Sequence, residues 1–244
     1  MSSPLVEVHP DPQALASVVA GELIERLRDV QSRGEVPAVV LTGGTIADAV
    51  HREIAGRADA DEVDWTRVDL WWGDERFVGP EDHERNALQA RRAFLDAVDV
   101  DPERVHEIPS TADVEDLGEA VASYEEALSS RGGRPFDVVM LGMGPDGHVA
   151  SLFPGHPALA VDDRAAVAVP NSPKPPAARV SMTLPTLRAA RSVWFLVSGE
   201  AKAEAVERAL AGGAEAATVD EIPAVGVEGE ETVWFLDRAA AALL

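Results

Sequence analysis

A histidine in a glycine-rich turn is the strongest chemical signal in this sequence. Residues 136–141 form a short apolar run with β-branched side chains, which predicts a buried strand of a parallel sheet. The turn that follows, at 142–148, contains Gly144, Asp146 and His148. Open α/β sheets build their ligand sites at the carboxyl ends of strands, and histidine titrates near neutral pH. We therefore predict that His148 is a general base with Asp146 beside it, and a solvated loop histidine is the alternative.

A second glycine turn follows the apolar strand predicted at 37–42. Its residues are Thr42, Gly43, Gly44 and Thr45. A helix is predicted from Ile46 onward, and the free N–H groups and dipole at a helix start bind oxyanions and phosphate groups. The turn is therefore a candidate anion cradle, and a plain tight turn is the alternative.

Four cationic side chains occur in or next to predicted turns that follow or lead into strands. They are Arg76, Lys174, Arg179 and Lys202. An arginine binds carbonyl or phosphate oxygens through its planar fork, and Asp74 can orient Arg76 or a sugar hydroxyl. Lys202 is predicted in the first turn of a helix, where the dipole disfavours a cation unless an anion lies beside it. A surface ion-pair cluster at Asp74 and Arg76, and a rigid surface loop around Lys174, stay open as alternatives.

Helical and strand periodicities alternate along the chain. Helices are predicted at 11–27, from 46 onward, and at 85–98, 114–128 and 199–210, and strands at 37–42, 68–72, 136–141, 165–169, 179–184, 192–197 and 232–236. This alternation predicts an α/β fold with a Rossmann-like, mostly parallel sheet covered by helices on both faces. Because no long Pro/Gly/Ser linker interrupts the chain, we expect a single domain over 1–244, with an ordered active-site loop at 170–178.

The composition excludes several functional classes. The 244 residues include no cysteine, so disulfides and thiolate metal sites are excluded, and no metal-binding, dinucleotide-binding or Walker motif occurs. The formal net charge of −22 disfavours contact with nucleic acid and anionic membranes, whereas a local cluster of cations can still bind a phosphorylated molecule. No apolar stretch reaches the about 18 residues of a membrane span, and the amino terminus lacks a signal-peptide pattern. We therefore expect a cytoplasmic protein that uses no metal and no cofactor.

Five motifs occur along nearly the whole chain. They are Leu-Thr-Gly-Gly-Thr at 41–45, Trp-Trp-Gly-Asp-Glu-Arg at 71–76, Leu-Gly-Met-Gly-Pro-Asp-Gly-His-Val-Ala-Ser-Leu-Phe-Pro-Gly at 141–155, Ser-Pro-Lys-Pro-Pro at 172–176 and Gly-Glu-Ala-Lys at 199–202. In these motifs and in their order, the chain resembles the 6-phosphogluconolactonase family, within the glucosamine/galactosamine-6-phosphate isomerase superfamily. The family more often has Ser-Gly-Gly-Ser-Thr-Pro at the first turn, and Ser-Asn where this chain has Arg85-Asn86. The resemblance implies the fold of glucosamine-6-phosphate deaminases, ribose-5-phosphate isomerases and CoA-transferases.

The resemblance also implies an activity, the cofactor-free hydrolysis of the δ-lactone ring of 6-phosphoglucono-lactone in the oxidative pentose phosphate pathway. His148 would deprotonate the attacking water, Asp146 would orient His148 or the substrate, and Arg76, with Asp74 beside it, would stabilise the oxyanion or hold the phosphate. The implied substrate-binding residues are Thr42, Gly43, Gly44, Thr45, Gly144, Lys174, Arg179 and Lys202. Which cation binds phosphate and which the carbonyl stays open. The implied partner is a small sugar-phosphate lactone, and we expect a monomer or a weak homo-oligomer.

Two other functions are compatible with this fold. Glucosamine-6-phosphate deaminases need a further carboxylate shortly after the histidine, in a sequence resembling Gly-His-Ile-Ala-Phe-Asn-Glu-Pro, and this chain has Ser-Leu-Phe-Pro at 151–154 instead. Sugar-phosphate-sensing domains of transcription regulators carry a helix-turn-helix domain and a basic surface, and this chain has a pI near 4.5. The sequence thus favours the hydrolase.

Overall fold

Ten strands and six helices form the computed structural model, which describes residues 4–212 and 216–244. The strands are β1 (Leu5–His9), β2 (Ala38–Leu41), β3 (Asp69–Trp72), β4 (Asp74–Arg76), β5 (Val105–His106), β6 (Phe136–Gly142), β7 (Ala166–Val169), β8 (Arg179–Met182), β9 (Ala190–Val197) and β10 (Glu231–Asp237). The helices are α1 (Pro12–Ser32), α2 (Thr45–Gly56), α3 (Asn86–Ala93), α4 (Leu117–Ser129), α5 (Leu184–Arg188) and α6 (Ala203–Leu210). Residues 1–3, the start of the segment considered as a signal peptide, lie outside the described part.

Seven strands form one parallel sheet in the order β1-β10-β9-β6-β2-β3-β5. The side chains of β2, β3 and nearly all of β6 are buried, because a parallel sheet is covered on both faces and its strands are continuous apolar runs. The predicted Rossmann-like, mostly parallel sheet with flanking helices is therefore confirmed.

The chain changes direction between β2 and β6. Within the parallel sheet, the next strand along the chain after β2 is β3, on one side, and the next after β6 is β9, on the other side, while β2 and β6 pair with each other. At such a switch point the loops that follow the two strands diverge and leave a crevice at the carboxyl ends of the strands. The turns that follow β2 and β6 are the two glycine-rich turns that the sequence analysis singled out.

A second sheet, which the sequence analysis did not predict, has three antiparallel strands in the order β4-β8-β7. The predicted strands 165–169 and 179–184 correspond to β7 and β8, which belong to this second sheet rather than to the parallel sheet. Only Gly73 separates β3 from β4, and β4 pairs with β8, so the small sheet lies at the carboxyl end of β3. The loop 170–178 connects β7 to β8 and thus reaches the same crevice.

Several predicted boundaries were wrong by a few residues. Helix α3 ends at Ala93 and is followed by a separate 3-10 turn at Leu95–Ala97, and a 3-10 turn at Glu200–Lys202 precedes α6. The start of α1 is as predicted, since the Asp11 carboxylate accepts a hydrogen bond from the N–H of Ala14 at 2.8 Å and Pro12 is the first helical residue. None of the helices in the described ranges is long and apolar enough to cross a membrane.

Candidate active site

The crevice at the switch point is a cleft of about 570 Å³. Eleven of the twelve residues that the sequence analysis assigned to the site line it: Thr42, Gly43, Gly44, Thr45, Asp74, Arg76, Gly144, His148, Lys174, Arg179 and Lys202. The twelfth, Asp146, lies behind His148 and contacts it. The structure therefore brings together side chains from β4, β8, the turns after β2 and β6, and the 170–178 loop.

His148 and Asp146 form a hydrogen-bonded pair at the wall of this cleft. The Nδ1 atom of His148 lies 2.5 Å from Oδ1 of Asp146. Because a carboxylate only accepts, Nδ1 carries the proton and Nε2 keeps a free lone pair. The imidazole also packs on the ring of Phe153, with centroids 4.5 Å apart. In this arrangement Asp146 fixes the tautomer and the ring orientation, and Nε2 is able to accept a proton.

The backbone of the turn after β6 is shaped around this pair. The N–H of Gly144 donates to the carbonyl of His148 at 2.9 Å, so the chain folds back on itself within five residues. A Cβ atom on Gly144 would lie 2.0 Å from Nδ1 of His148 and 2.3 Å from Oδ1 of Asp146. Gly147, at φ +79°, adopts a left-handed conformation that suits glycine. Glycine at 144 is therefore required by the space that the pair occupies.

Asp146 is held in its charged form by its neighbours. Burial alone would raise its pKa, but the hydrogen bond from His148, the positive charge that His148 carries when it is protonated and the charge of Lys174 outweigh burial, so the pKa of Asp146 lies well below its usual range. The Nζ atom of Lys174 lies 3.9 Å from Oδ1 of Asp146 and 3.4 Å from Nδ1 of His148. Asp146 is thus ionised throughout the neutral pH range and accepts a hydrogen bond from the N–H group at Nδ1 of His148.

The cleft concentrates positive charge in a strongly acidic chain. Among the residues that the structure describes, four cations line it and Asp74 is the one lining carboxylate. Lys202 donates to the backbone carbonyl of Met143 at 2.7 Å, and its pKa is lowered by burial and by the nearby charge of Lys174. Arg76 and Arg179 stand opposite each other on β4 and β8, although like charges in that position repel. Cations held together in this way favour the binding of an anion.

Arg179 does more than the sequence analysis predicted. Its side chain is buried and donates from Nε to the carbonyl of Pro176 at 3.0 Å, and from Nη2 to those of Lys174 at 3.1 Å and Pro175 at 3.3 Å. These bonds brace the 170–178 loop from within and set the position of Lys174. Burial lowers the pKa of Arg179, and the charge of Arg76 lowers it further. Direct contact between Arg179 and a substrate stays a prediction.

The turn after β2 leads into helix α2, whose amino-terminal end lines the cleft. Gly44 is the N-cap residue, at φ 102°, and it supplies no side-chain hydrogen bond to the first turn. The hydroxyl of Thr42 accepts a weak hydrogen bond from the N–H of Gly142 at 3.4 Å, which links the two glycine turns. Backbone donors and the positive end of the dipole at Thr45 therefore face the cleft, as expected for an anion cradle.

Asn86 is a site residue that the sequence analysis did not assign. It lines the cleft, and its side-chain amide bridges β4: Nδ2 donates to the carbonyl of Asp74 at 2.9 Å, and Oδ1 accepts from the guanidinium of Arg76. The carboxylate of Asp74 accepts in turn from the hydroxyl of Ser151 at 2.6 Å. Asn86 is ten residues from Arg76 across an irregular loop, so no periodic signal in the sequence predicts that the two side chains meet.

The segment after His148 places no carboxylate in the cleft. Ser151 is bonded to Asp74, and Leu152 and Phe153 are buried in the core. In the ranges 4–212 and 216–244 the structure also contains no cluster of three or more His, Cys, Asp or Glu side chains that could hold a metal ion. The chemical groups that line the cleft therefore include an imidazole with a fixed tautomer, four cations, the carboxylate of Asp74, the amide of Asn86 and free backbone donors.

Comparisons with known proteins agree on the family. A family model described as glucosamine-6-phosphate isomerases/6-phosphogluconolactonase matches residues 10–234. The chain is 44% identical to a 6-phosphogluconolactonase of Streptomyces coelicolor, over 99% of this chain and 95% of that protein. It is also 44% identical to one of Mycobacterium tuberculosis, with 98% of both covered.

Solved structures share the fold. The 6-phosphogluconolactonase of Trypanosoma brucei superposes with a TM-score of 0.87 at 26% identity, and the match covers 100% of both chains. A monomeric glucosamine-6-phosphate deaminase matches with a TM-score of 0.80 at 19% identity over 98% of this chain and 100% of that one, which shows a common fold. The resemblance carried by the five sequence motifs is confirmed, and the chain belongs to the glucosamine-6-phosphate isomerase/6-phosphogluconolactonase family.

Proposed function

We propose that this chain hydrolyses 6-phospho-D-glucono-1,5-lactone to 6-phospho-D-gluconate. Its relatives at 44% identity are named 6-phosphogluconolactonase, which supports the proposal. The observation that carries the proposal is the His148–Asp146 pair, with a free Nε2, in a cleft lined by four cations. A lactone is an ester, so its hydrolysis needs a base for water, donors for the carbonyl oxygen and cations for the phosphate.

The proposed reaction runs through one tetrahedral intermediate. Nε2 of His148 takes a proton from a water molecule while the water oxygen attacks the carbonyl carbon of the lactone. The carbonyl oxygen then becomes an oxyanion. When the oxyanion collapses, the bond to the ring oxygen breaks, and His148 returns the proton to that oxygen. Asp146 keeps Nδ1 protonated and stabilises the imidazolium that forms between the two steps.

The cations divide between the phosphate of the substrate and the oxyanion that forms at its carbonyl carbon. Arg76 and the N–H groups of the glycine turns donate hydrogen bonds to the oxyanion or to the phosphate in this scheme. Lys174 lies next to Nδ1 of His148, and Lys202 donates to the carbonyl of Met143 in the same turn. Arg179 supports this wall through the loop that it braces. The proposal assigns no step to a metal ion.

A second family activity, isomerisation with deamination of an amino sugar phosphate, is less well supported. That reaction needs an additional acid or base carboxylate close to the histidine, and the corresponding segment here has Ser151 and buried apolar residues. The proposed hydrolysis needs a base, cations and backbone donors, and it needs no such carboxylate.

The test is a direct assay of lactone hydrolysis in the presence of excess chelator, with His148→Ala and wild type compared. We expect kcat to fall by about 10²–10⁴, the usual contribution of a general base, while the thermal unfolding midpoint changes little. His83→Ala is the matched control, because the His83 side chain is 85% exposed and lies outside the cleft. Wild-type kcat in His148→Ala would refute the assignment of the base. Loss of wild-type activity in chelator that added metal restores would refute the metal-free scheme.

A further inference from the structure

Glu75 is a buried carboxylate next to the cleft to which the proposed reaction assigns no role. It lies on β4 between two residues that line the cleft, Asp74 and Arg76, but its own side chain points to the opposite face and is 1% exposed. Its oxygens accept three backbone hydrogen bonds, all at 2.8 Å: from the N–H groups of Arg76 and Asn86 at Oε1, and of Ala87 at Oε2.

These bonds replace a local helix cap. Helix α3 begins at Asn86, and the residue before it, Arg85, provides no side-chain hydrogen bond to the first turn. The first N–H groups of a helix have no partner within the helix, and a side chain from the preceding residue normally supplies one. Here Glu75 supplies it from another element, so the start of α3 is fixed relative to β4.

The residue at the start of α3 in turn holds the guanidinium of Arg76. Asn86 is 2% exposed, and its Oδ1 accepts from Nη1 of Arg76 while its Nδ2 donates to Asp74. A Cβ atom on Gly43 would lie 1.8 Å from Oδ1 of Asn86, so the amide fills the gap between β4 and the turn after β2. The Asn86 amide is held between β4 and Gly43, and its position depends on where α3 begins because Asn86 is the first residue of that helix.

We propose that Glu75 is a positioning residue that fixes Asn86 through the start of α3 and thereby orients Arg76 in the cleft. The inference rests on the proposed function in taking Arg76 as a substrate-binding group. The Glu75 side chain does not line the cleft, so its effect on the reaction passes through the backbone of the residues that it holds, Arg76, Asn86 and Ala87.

The electrostatics of Glu75 agree with a role other than stabilising the fold. Burial raises the pKa of Glu75 to about 7, even though the charge of Arg85 and the three N–H donors act in the opposite direction. A carboxylate that is this costly to ionise weakens the folded state at neutral pH, because its charge is desolvated without a close ion pair. A positioning role gives a reason for a carboxylate at this place.

A double-mutant cycle tests the inference. We compare kcat/KM for the lactone in the wild type, Glu75→Gln, Arg76→Ala and the double variant. The control is Glu81→Gln, which removes an exposed carboxylate from the loop between β4 and α3. We expect Glu75→Gln to lower kcat/KM by about ten- to a hundredfold, the scale of a misplaced binding group. In the Arg76→Ala background the same change should lower it by less than about threefold, because the group that it positions is already absent.

Either of two results overturns the inference: an unchanged kcat/KM in Glu75→Gln, or an equal decrease in both backgrounds, which is what general weakening of the fold produces. Glu75→Asp, whose shorter side chain cannot keep all three bonds, serves by the same criteria if Glu75→Gln does not fold.

The failure of the proposed function is a separate result. If the wild type does not hydrolyse the lactone, the cycle is measured on the affinity for 6-phosphogluconate by calorimetry, and non-additivity there supports the inference. A wild type that neither hydrolyses the lactone nor binds 6-phosphogluconate overturns both.

Discussion

Gly144→Ala should separate the His148–Asp146 pair without changing any group that does chemistry. The added methyl would lie 2.0 Å from Nδ1 of His148, 2.1 Å from its Cε1 and 2.3 Å from Oδ1 of Asp146. Non-bonded heavy atoms approach to about 3.5 Å, so the imidazole must move by more than about 1 Å or the turn must open. A displacement of about 1 Å at a reacting group lowers a rate about a hundredfold, and complete loss of a general base lowers it by about 10²–10⁴.

We therefore expect kcat of Gly144→Ala to fall at least about a hundredfold, toward the value of His148→Ala. The assay is steady-state lactone hydrolysis together with thermal unfolding. Gly56→Ala is the control, because a Cβ atom there meets nothing within 4 Å. Since both variants remove the same pair, His148→Ala should cause little further loss in the Gly144→Ala background. The reasoning is refuted if Gly144→Ala keeps a kcat close to that of Gly56→Ala.

Two further predictions concern charge. Lys202→Met should raise KM for the phosphorylated lactone about ten- to a hundredfold, because one charge-assisted hydrogen bond is lost, and it should raise KM for unphosphorylated glucono-lactone far less. The control is Arg208→Met, since the Arg208 side chain lies on α6 and is 51% exposed. Equal changes in KM for the two substrates would contradict a role of Lys202 in phosphate binding. Because the pKa of Glu75 is raised from 4.5 to about 7, the folded chain keeps a proton that the unfolded chain has released, so stability is lost as pH rises through this interval. Denaturant unfolding from pH 4.5 to 8 should show wild type losing about 3 kcal/mol relative to Glu75→Gln, at about 1.4 kcal/mol per pH unit. A constant difference would show that folding does not raise the pKa of Glu75.

The sequence by itself determined the parallel sheet and the turns that carry the chemistry. Strands such as β2 and β6 are buried on both faces, so each is a continuous apolar run that is visible locally. Glycine turns at their carboxyl ends are also local, because a positive φ or a missing Cβ is a property of a single residue. Both kinds of signal need no knowledge of the partner strand.

The strands that were missed lacked such a signal. Strand β1 is at the edge of the sheet and exposes Leu5 and Val8, so its pattern is not that of a buried strand. Strands β4 and β5 are three and two residues long. Their existence depends on pairing with β8 and β3, which are distant in sequence.

Only the tertiary structure decided how the site is held together. The bond from Ser151 to Asp74 joins residues 77 positions apart, and the contacts of Asn86 with Arg76 and Gly43 cross two loops. Arg179 was predicted to face an anion, but its donors are mostly used by the carbonyls of the 170–178 loop. A side chain's type and spacing show what it is able to bind, whereas its actual partner is set by which buried polar groups the packing brings within hydrogen-bond distance. That packing is a property of the whole chain and appears in no local segment of it.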